Sequence, residues 1–271
     1  MYSTHYHKAN SLAHALELFK SSDDASFLSG GHTLLPVMKQ GLSSPTDLID
    51  LSAIEELKGI EKSNNSLIIS SMSRHAEVAK NKDVLTSIPS LAALAGSIGD
   101  RQVRFRGSIG GSLANNDPSA DYPAAVLGLG GIVETNLRQI ASDKYFVGMF
   151  QTALERGEII TRVHLPIPLC AGYAKFRSAA ARYSMVGVFI AKTQQGTRVA
   201  VTGAAQDGVF RAAPIEAALD LKFEAESVDN IFIDPEGLIE DVHASRNYRA
   251  NLIKVLAKHA VRNMDAIVNL K

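Results

Sequence analysis

The sequence predicts an α+β protein of two domains, and three observations carry that prediction. A strand pattern, GEIITRVHLPIPL, stops at Pro166 and Pro168, because proline has no N–H to give a sheet. Upstream of that stop lie the glycine pairs at residues 30–31 and 110–111, each beside short apolar segments. Downstream, three consecutive strand patterns precede two helical ones, the order expected of a separate α+β unit. A chain of 271 residues is long enough to bury a substantial core in one large or two medium domains.

Taken in order, residues 10–20 (NSLAHALELFK) place Leu12, Ala15, Leu16 and Phe19 at helical spacing, with Asn10 or Ser11 as the N-cap. SFLSGG reads as a short apolar strand ending in the first glycine pair, and TLLPVMKQG as a helix opening at Thr33. Pro36 falls in its first turn, where proline is tolerated. TDLIDL and SLIISSM read as strands, and VLTSIPSLAALAGSIG as an apolar helical stretch interrupted at Pro89. RQVRFRG alternates charge and apolar residues, so strand geometry puts Arg104 and Arg106 on one face, Val103 and Phe105 on the other. DYPAAVLGLGGIVET is expected to form a helix and then a strand. Beyond the prolines, residues 172–178, 185–192 and 197–204 read as strands of one sheet, and APIEAALDL and YRANLIKVLAKHAVRNM as helices. ESVDNIFIDPEG is a looser connection, and no internal repeat is visible.

Composition narrows the function. Lysine plus arginine (28) balance aspartate plus glutamate (28), so nothing global attracts nucleic acid or an anionic membrane. The single cysteine, Cys170, excludes an internal disulfide and a zinc or iron-sulfur cluster of cysteines; it reads as a small apolar residue near the domain boundary. Electrons passing through this chain would need a bound organic cofactor. No segment reaches the roughly 18 apolar residues of a membrane helix, and the N-terminus lacks a basic stretch followed by an apolar run, so a cytoplasmic protein is expected.

The stretch RGSIGGSLANNDPSADYPA, residues 106–124, is nearly all backbone and small polar groups. A turn built on glycine exposes main-chain N–H groups and can take positive φ, and a following helix adds unpaired N–H groups and its positive dipole end. Such loops suit phosphates, with Thr33 and Ser112 adding hydroxyls. Neither loop has the GxGxxG or GxxxxGK[ST] spacing, so a mononucleotide P-loop is not expected. A single glycine pair also serves as a tight turn. Asp121 can accept hydrogen bonds from ligand hydroxyls or cap a helix starting at Tyr122, and spacing leaves both open. His32 reads either as a phosphate partner or as a loop-shaping donor. Arg101, Arg104 and Arg106 are too few for a nucleic-acid surface.

Over essentially its whole length the chain resembles the FAD-binding subunit of molybdenum hydroxylases, meaning the medium subunit of aerobic carbon monoxide dehydrogenases and the flavin domain of xanthine dehydrogenases. The family's first loop, commonly AGGHSLLP, stands here as SGGHTLLP (29–36), and its second, commonly RGTIGGNLANADPAADLPA, as RGSIGGSLANNDPSADYPA. The resemblance implies a two-subdomain FAD-binding domain of the PCMH-like type over 1–168, with subdomains of approximately 1–55 and 56–168. A smaller α+β C-terminal flavoprotein domain would follow over 171–271.

The resemblance also implies site roles. Main-chain N–H groups of Ser29, Gly30, Gly31, His32, Thr33 and Leu34, and of Ser108, Ile109, Gly110, Gly111 and Ser112, would hold the FAD pyrophosphate. Asp121 would meet ligand hydroxyls, Ile98 and Ile160 would give apolar contacts, Lys175 would touch the flavin, and Tyr183 would lie beside the isoalloxazine ring. Three residues depart from the pattern: Arg182 replaces an aspartate, Phe105 and Ser112 replace asparagines. The implied activity is electron transfer from an iron-sulfur small subunit through FAD to an external acceptor, with molybdopterin on a large subunit and no catalytic side chain or metal here. The alternatives are a self-sufficient FAD oxidoreductase and a scaffold that has lost the cofactor.

Overall fold

Three sheets, each with its own helices, follow one another along the chain in a computed structural model that describes residues 3–179, 182–264 and 267–270. The first is parallel: β1 (His5–Lys8), β2 (Ala25–Leu28) and β3 (Asp47–Asp50) in the order β1-β3-β2. Helices α1 (Leu12–Ser21) and α2 (Leu34–Lys39) make the crossovers. Of the two caps the sequence allows for α1, Ser11 is used, its hydroxyl accepting from the His14 N–H at 3.1 Å.

The second sheet is antiparallel. It runs β4-β5-β10-β6-β7, from β4 (Ile60–Ser63), β5 (Ser66–Ser70), β6 (Ile132–Thr135), β7 (Gln139–Ala141) and β10 (Ile160–Pro166), with a hairpin of β8 (Phe146–Gly148) and β9 (Gln151–Thr152) beside it. Between β5 and β6 the chain runs through short helices: α3 (His75–Lys80), α4 (Lys82–Ser87), α5 (Pro89–Ser97), α6 (Arg101–Arg106), α7 (Ile109–Asn115) and α8 (Asp121–Gly128). A one-turn helix, α9 (Ser142–Tyr145), follows β7. Pro89 is the first residue of α5, so the apolar stretch around it is two helices rather than one interrupted helix.

Two elements here differ from the sequence expectation. RQVRFRG is α6, not a strand: Asp100 caps it by accepting from Val103 N–H at 2.9 Å, and the alternation of charge in so short a segment fits either period. Phe105 is therefore 61% exposed, 5.0 Å beneath the Arg74 guanidinium, instead of packed beside Val103. The second glycine pair is not in a loop. Gly110 and Gly111 lie in the first turn of α7, which Ser108 caps.

The third sheet, β14-β13-β12-β11-β15, comprises β11 (Cys170–Arg177), β12 (Ser184–Thr193), β13 (Gly196–Ala205), β14 (Gly208–Arg211) and β15 (Ile267–Leu270). Period-2 alternation gives it two buried faces. Ala174, Val188, Ile190, Val199 and Val201 face α10 (Ala213–Leu221) and α11 (Arg246–Arg262) in one core. Tyr173, Phe189, Ala191 and Ala200 join the core of α5, α8 and the second sheet. The C-terminal sheet thus lies on α8, and β13 grips the segment leading into it: Thr202 donates to Pro118 O (3.0 Å) and Ala120 O (2.7 Å), and Arg198 to Leu127 O. A third core joins α1, β3 and Ile159.

Candidate functional site

The two glycine segments meet. Ser29 Oγ and Ser108 Oγ are 2.6 Å apart, and a Cβ on Gly30 would overlap the Arg106 carbonyl oxygen and come 2.8 Å from Gly107 Cα. Gly30 is therefore what lets the first loop rest on the backbone of the second segment. Gly110 serves a different contact: a Cβ there would come 2.5 Å from Ser71 Cβ, and its N–H donates to Ser71 O at 2.8 Å. Bare backbone in this helix lets α7 dock on the end of β5.

Between the segments is a cavity of about 620 Å³, within the roughly 300–1,000 Å³ of cofactor sites. Ser29 through Leu34 form one wall. Ser108, Gly110, Gly111 and Ser112 form the facing one, while Ile98, Asp121, Ile160 and Tyr183 close the rest. Ile109 and Lys175 are fully buried and lie outside the lining.

The two walls differ in free donors. On the α7 side, Ile109 N–H donates to Ser73 O, Gly110 N–H to Ser71 O, Gly111 N–H to Ser108 Oγ and Ser112 N–H to Ser108 O. Those four are spent inside the protein, which corrects the expectation that this segment offers them to pyrophosphate. On the facing wall, no main-chain N–H from Ser29 through Leu34 finds an acceptor among the described residues. The row ends at the start of α2, where helical N–H groups have no partner within the helix.

Asp121 is the first residue of α8, whose cap, Ala120, makes no side-chain bond; the capping role read from sequence does not occur. Its carboxylate is instead clamped from the C-terminal sheet by Tyr173 Oη (2.5 Å), Ser184 Oγ (2.8 Å) and Lys175 Nζ (2.9 and 3.1 Å). Tyr173 and Lys175 share a face of β11, and the missing Cβ of Gly187 on β12 leaves room for the Tyr173 hydroxyl. Burial, reinforced by Asp121, holds the Tyr173 hydroxyl well above the usual tyrosine range, so it stays a donor. Lys175 stands behind Asp121 and reaches the cavity only through it.

At the mouth, Tyr183 is half exposed, and burial with Asp117 and Asp121 raises its pKa. Arg182 beside it has φ 62°. Asp117 is raised by burial, although it accepts from Ser119 N–H at 2.8 Å. His75 also lines the cavity; burial holds its pKa down at about 4, so the ring is neutral. Sequence reasoning missed His75, Asp117, Tyr173 and Ser184. One signal was present: in GYAKFRS, Tyr173 and Lys175 alternate onto one face of an apolar strand, and a lysine there needs a buried anion.

Residues 2–168 match the family of the FAD binding domain in molybdopterin dehydrogenase, and the chain belongs to that family. Several of its relatives are medium subunits or medium chains. It is 30% identical to the nicotine 6-hydroxylase medium subunit of Paenarthrobacter nicotinovorans, over 94% of this chain and 95% of that one. It is 28% identical to the carbon monoxide dehydrogenase medium chain of Afipia carboxidovorans, over 96% of each. Among solved structures, it superposes on quinoline 2-oxidoreductase from Pseudomonas putida 86 with a TM-score of 0.86 at 25% identity, over 96% of each chain. On Cu,Mo-CO dehydrogenase the TM-score is also 0.86, at 27% identity over 97% of this chain and 98% of that one. The chain is thus an FAD-binding, medium-type subunit of the molybdenum hydroxylase class of oxidoreductases. Among the described residues no helix is long and apolar enough to cross a membrane.

Proposed function

We propose that this chain holds FAD in the cavity between the two glycine segments and carries electrons from an iron-sulfur subunit to an external acceptor, within a complex whose large subunit bears molybdopterin. The observation that carries this reading is the row of unspent N–H groups from Ser29 to Leu34, facing a cavity of cofactor size. Those donors suit the diphosphate. Ser112 and the Ser108 hydroxyl complete the facing wall, Ile98 and Ile160 give apolar contact, and Asp121 and Tyr183 face the remainder, with Lys175 fixing Asp121. FAD supplies the redox chemistry when bound, and the chain supplies position and electrostatics.

Against a self-sufficient oxidase stands the engagement of two of the three acids that line the cavity, Asp117 being the third. Asp121 is engaged by three donors, and Glu158 is held by Arg138 and Thr135. The partner subunits, and the division into 1–168 and 171–271, belong to the same proposal. The test is single-turnover reduction of the FAD-loaded chain. Organic substrates alone should leave the flavin oxidised, whereas the reconstituted complex should reduce it; turnover by the isolated chain would overturn the reading.

A further inference from the structure

One further buried titratable group lines this cavity. His75, the first residue of α3, is 5% exposed. Its ring lies under Gly107, where a Cβ would come 2.5 Å from Nε2, and 5.3 Å from the ring of Tyr122. Nδ1 is buried without a hydrogen-bond partner, and no described residue bonds Nε2 either. Buried polar groups in native proteins nearly always have partners, so an unpartnered imidazole lining a cavity is a group whose partner arrives with the ligand.

We propose that His75 is a ligand-binding residue for the anionic linker of the bound dinucleotide, and that it takes up one proton from solvent as the dinucleotide binds. This rests on the FAD reading. Charged groups face the ring from several neighbouring elements. Asp121, from α8, favours the imidazolium; His32, from the first loop, and Arg104, from α6, oppose it. On its own helix the charged groups are Glu77 and Lys80, with Arg74 at the cap, and α4 adds Lys82 and Asp83, while α5 carries none.

Among the described lysines and arginines near the ring, two are already engaged and one stands at the mouth. Lys175 is bound to Asp121, Arg104 is bound to the carbonyls of Ile98 and Gly99, and Arg182 sits exposed at the mouth. Burial keeps the ring neutral. An anion beside it reverses that balance and raises its pKa, so the proton enters with the ligand and leaves with it.

Calorimetric titration of the full chain with FAD, in buffers of different ionisation enthalpy between about pH 5 and 8, counts the protons. Uptake should approach about one per FAD at the acidic end, where affinity weakens by up to about tenfold per unit rise in pH. In His75→Gln, FAD should still bind, without the uptake and with an affinity that no longer follows pH. FAD binding to the wild-type chain without uptake would overturn this inference and leave the FAD reading standing. Uptake that persists unchanged in His75→Gln would overturn it too, and move the proton to Asp117. Failure of the wild-type chain to bind FAD at all would overturn both.

Discussion

At single residues, the site is built from pairs whose members are far apart in sequence. Asp121 and its clamp of Tyr173, Lys175 and Ser184 are separated by 52 to 63 residues, and every member is buried. Lys175→Met would strand a buried carboxylate, so denaturant unfolding should show a loss of about 3–5 kcal/mol. The two glycines of α7 separate by the same logic. Gly110→Ala pushes a methyl into Ser71 and should lower stability, whereas at Gly111 the nearest atom is Ser108 Oγ at 3.2 Å, so Gly111→Ala should keep the melting temperature and weaken FAD affinity. His75 sets an acid limit. Its folded pKa, about 4, lies below the unfolded value of 6.5, so its contribution is complete above pH 6.5 and is lost as pH falls toward 4. That loss is about 3 kcal/mol and should disappear in His75→Gln during pH-dependent unfolding of the flavin-free chain.

Among the elements, strands and long helices were legible because their periods repeat several times; β11, β12, β13, α8 and α11 lie where the alternation and the apolar spacing put them. The six-residue α6 was not, although α2, of the same length, was read as a helix. RQVRFRG carries too few residues to distinguish a period of 2 from one of 3.6, and its helix is decided by the Asp100 cap and by carbonyls for Arg104 to reach. The second glycine pair misled differently, since the same composition that makes a phosphate loop also makes a helix that docks closely on a strand. Asn116 closes α7 in the left-handed region at φ 43°, and its amide donates to Gly148 O and Gln151 O, which ties the exposed hairpin of Val147, Met149 and Phe150 to the cofactor segment. Asn116→Ala should lose roughly 2–4 kcal/mol in urea unfolding, from the stranded carbonyls and the backbone strain together. Asn116→Gly should recover the strain portion only.

For the whole molecule, the motif pair 29–36 and 106–124 pointed to one ligand before any geometry was known, since residues that adjoin only in the fold share one chemical character. What the sequence did not show is how the load divides between them: the first loop keeps its donors free, while the second spends its own on holding the sheets and the first loop in place. Nor did it show that the C-terminal sheet supplies the clamp on Asp121, because that contact depends on β13 lying across α8. On the proposed function, a dinucleotide diphosphate sits on the first loop where Gly30 meets the second segment. Flavin fluorescence titration of the purified chain with FAD and FMN tests it most directly. The prediction is saturable FAD binding, FMN weaker by at least about tenfold, or about 1.4 kcal/mol, and loss of FAD binding in Gly30→Ala. Equal affinity for the two flavins, or undiminished FAD binding in Gly30→Ala, would contradict it.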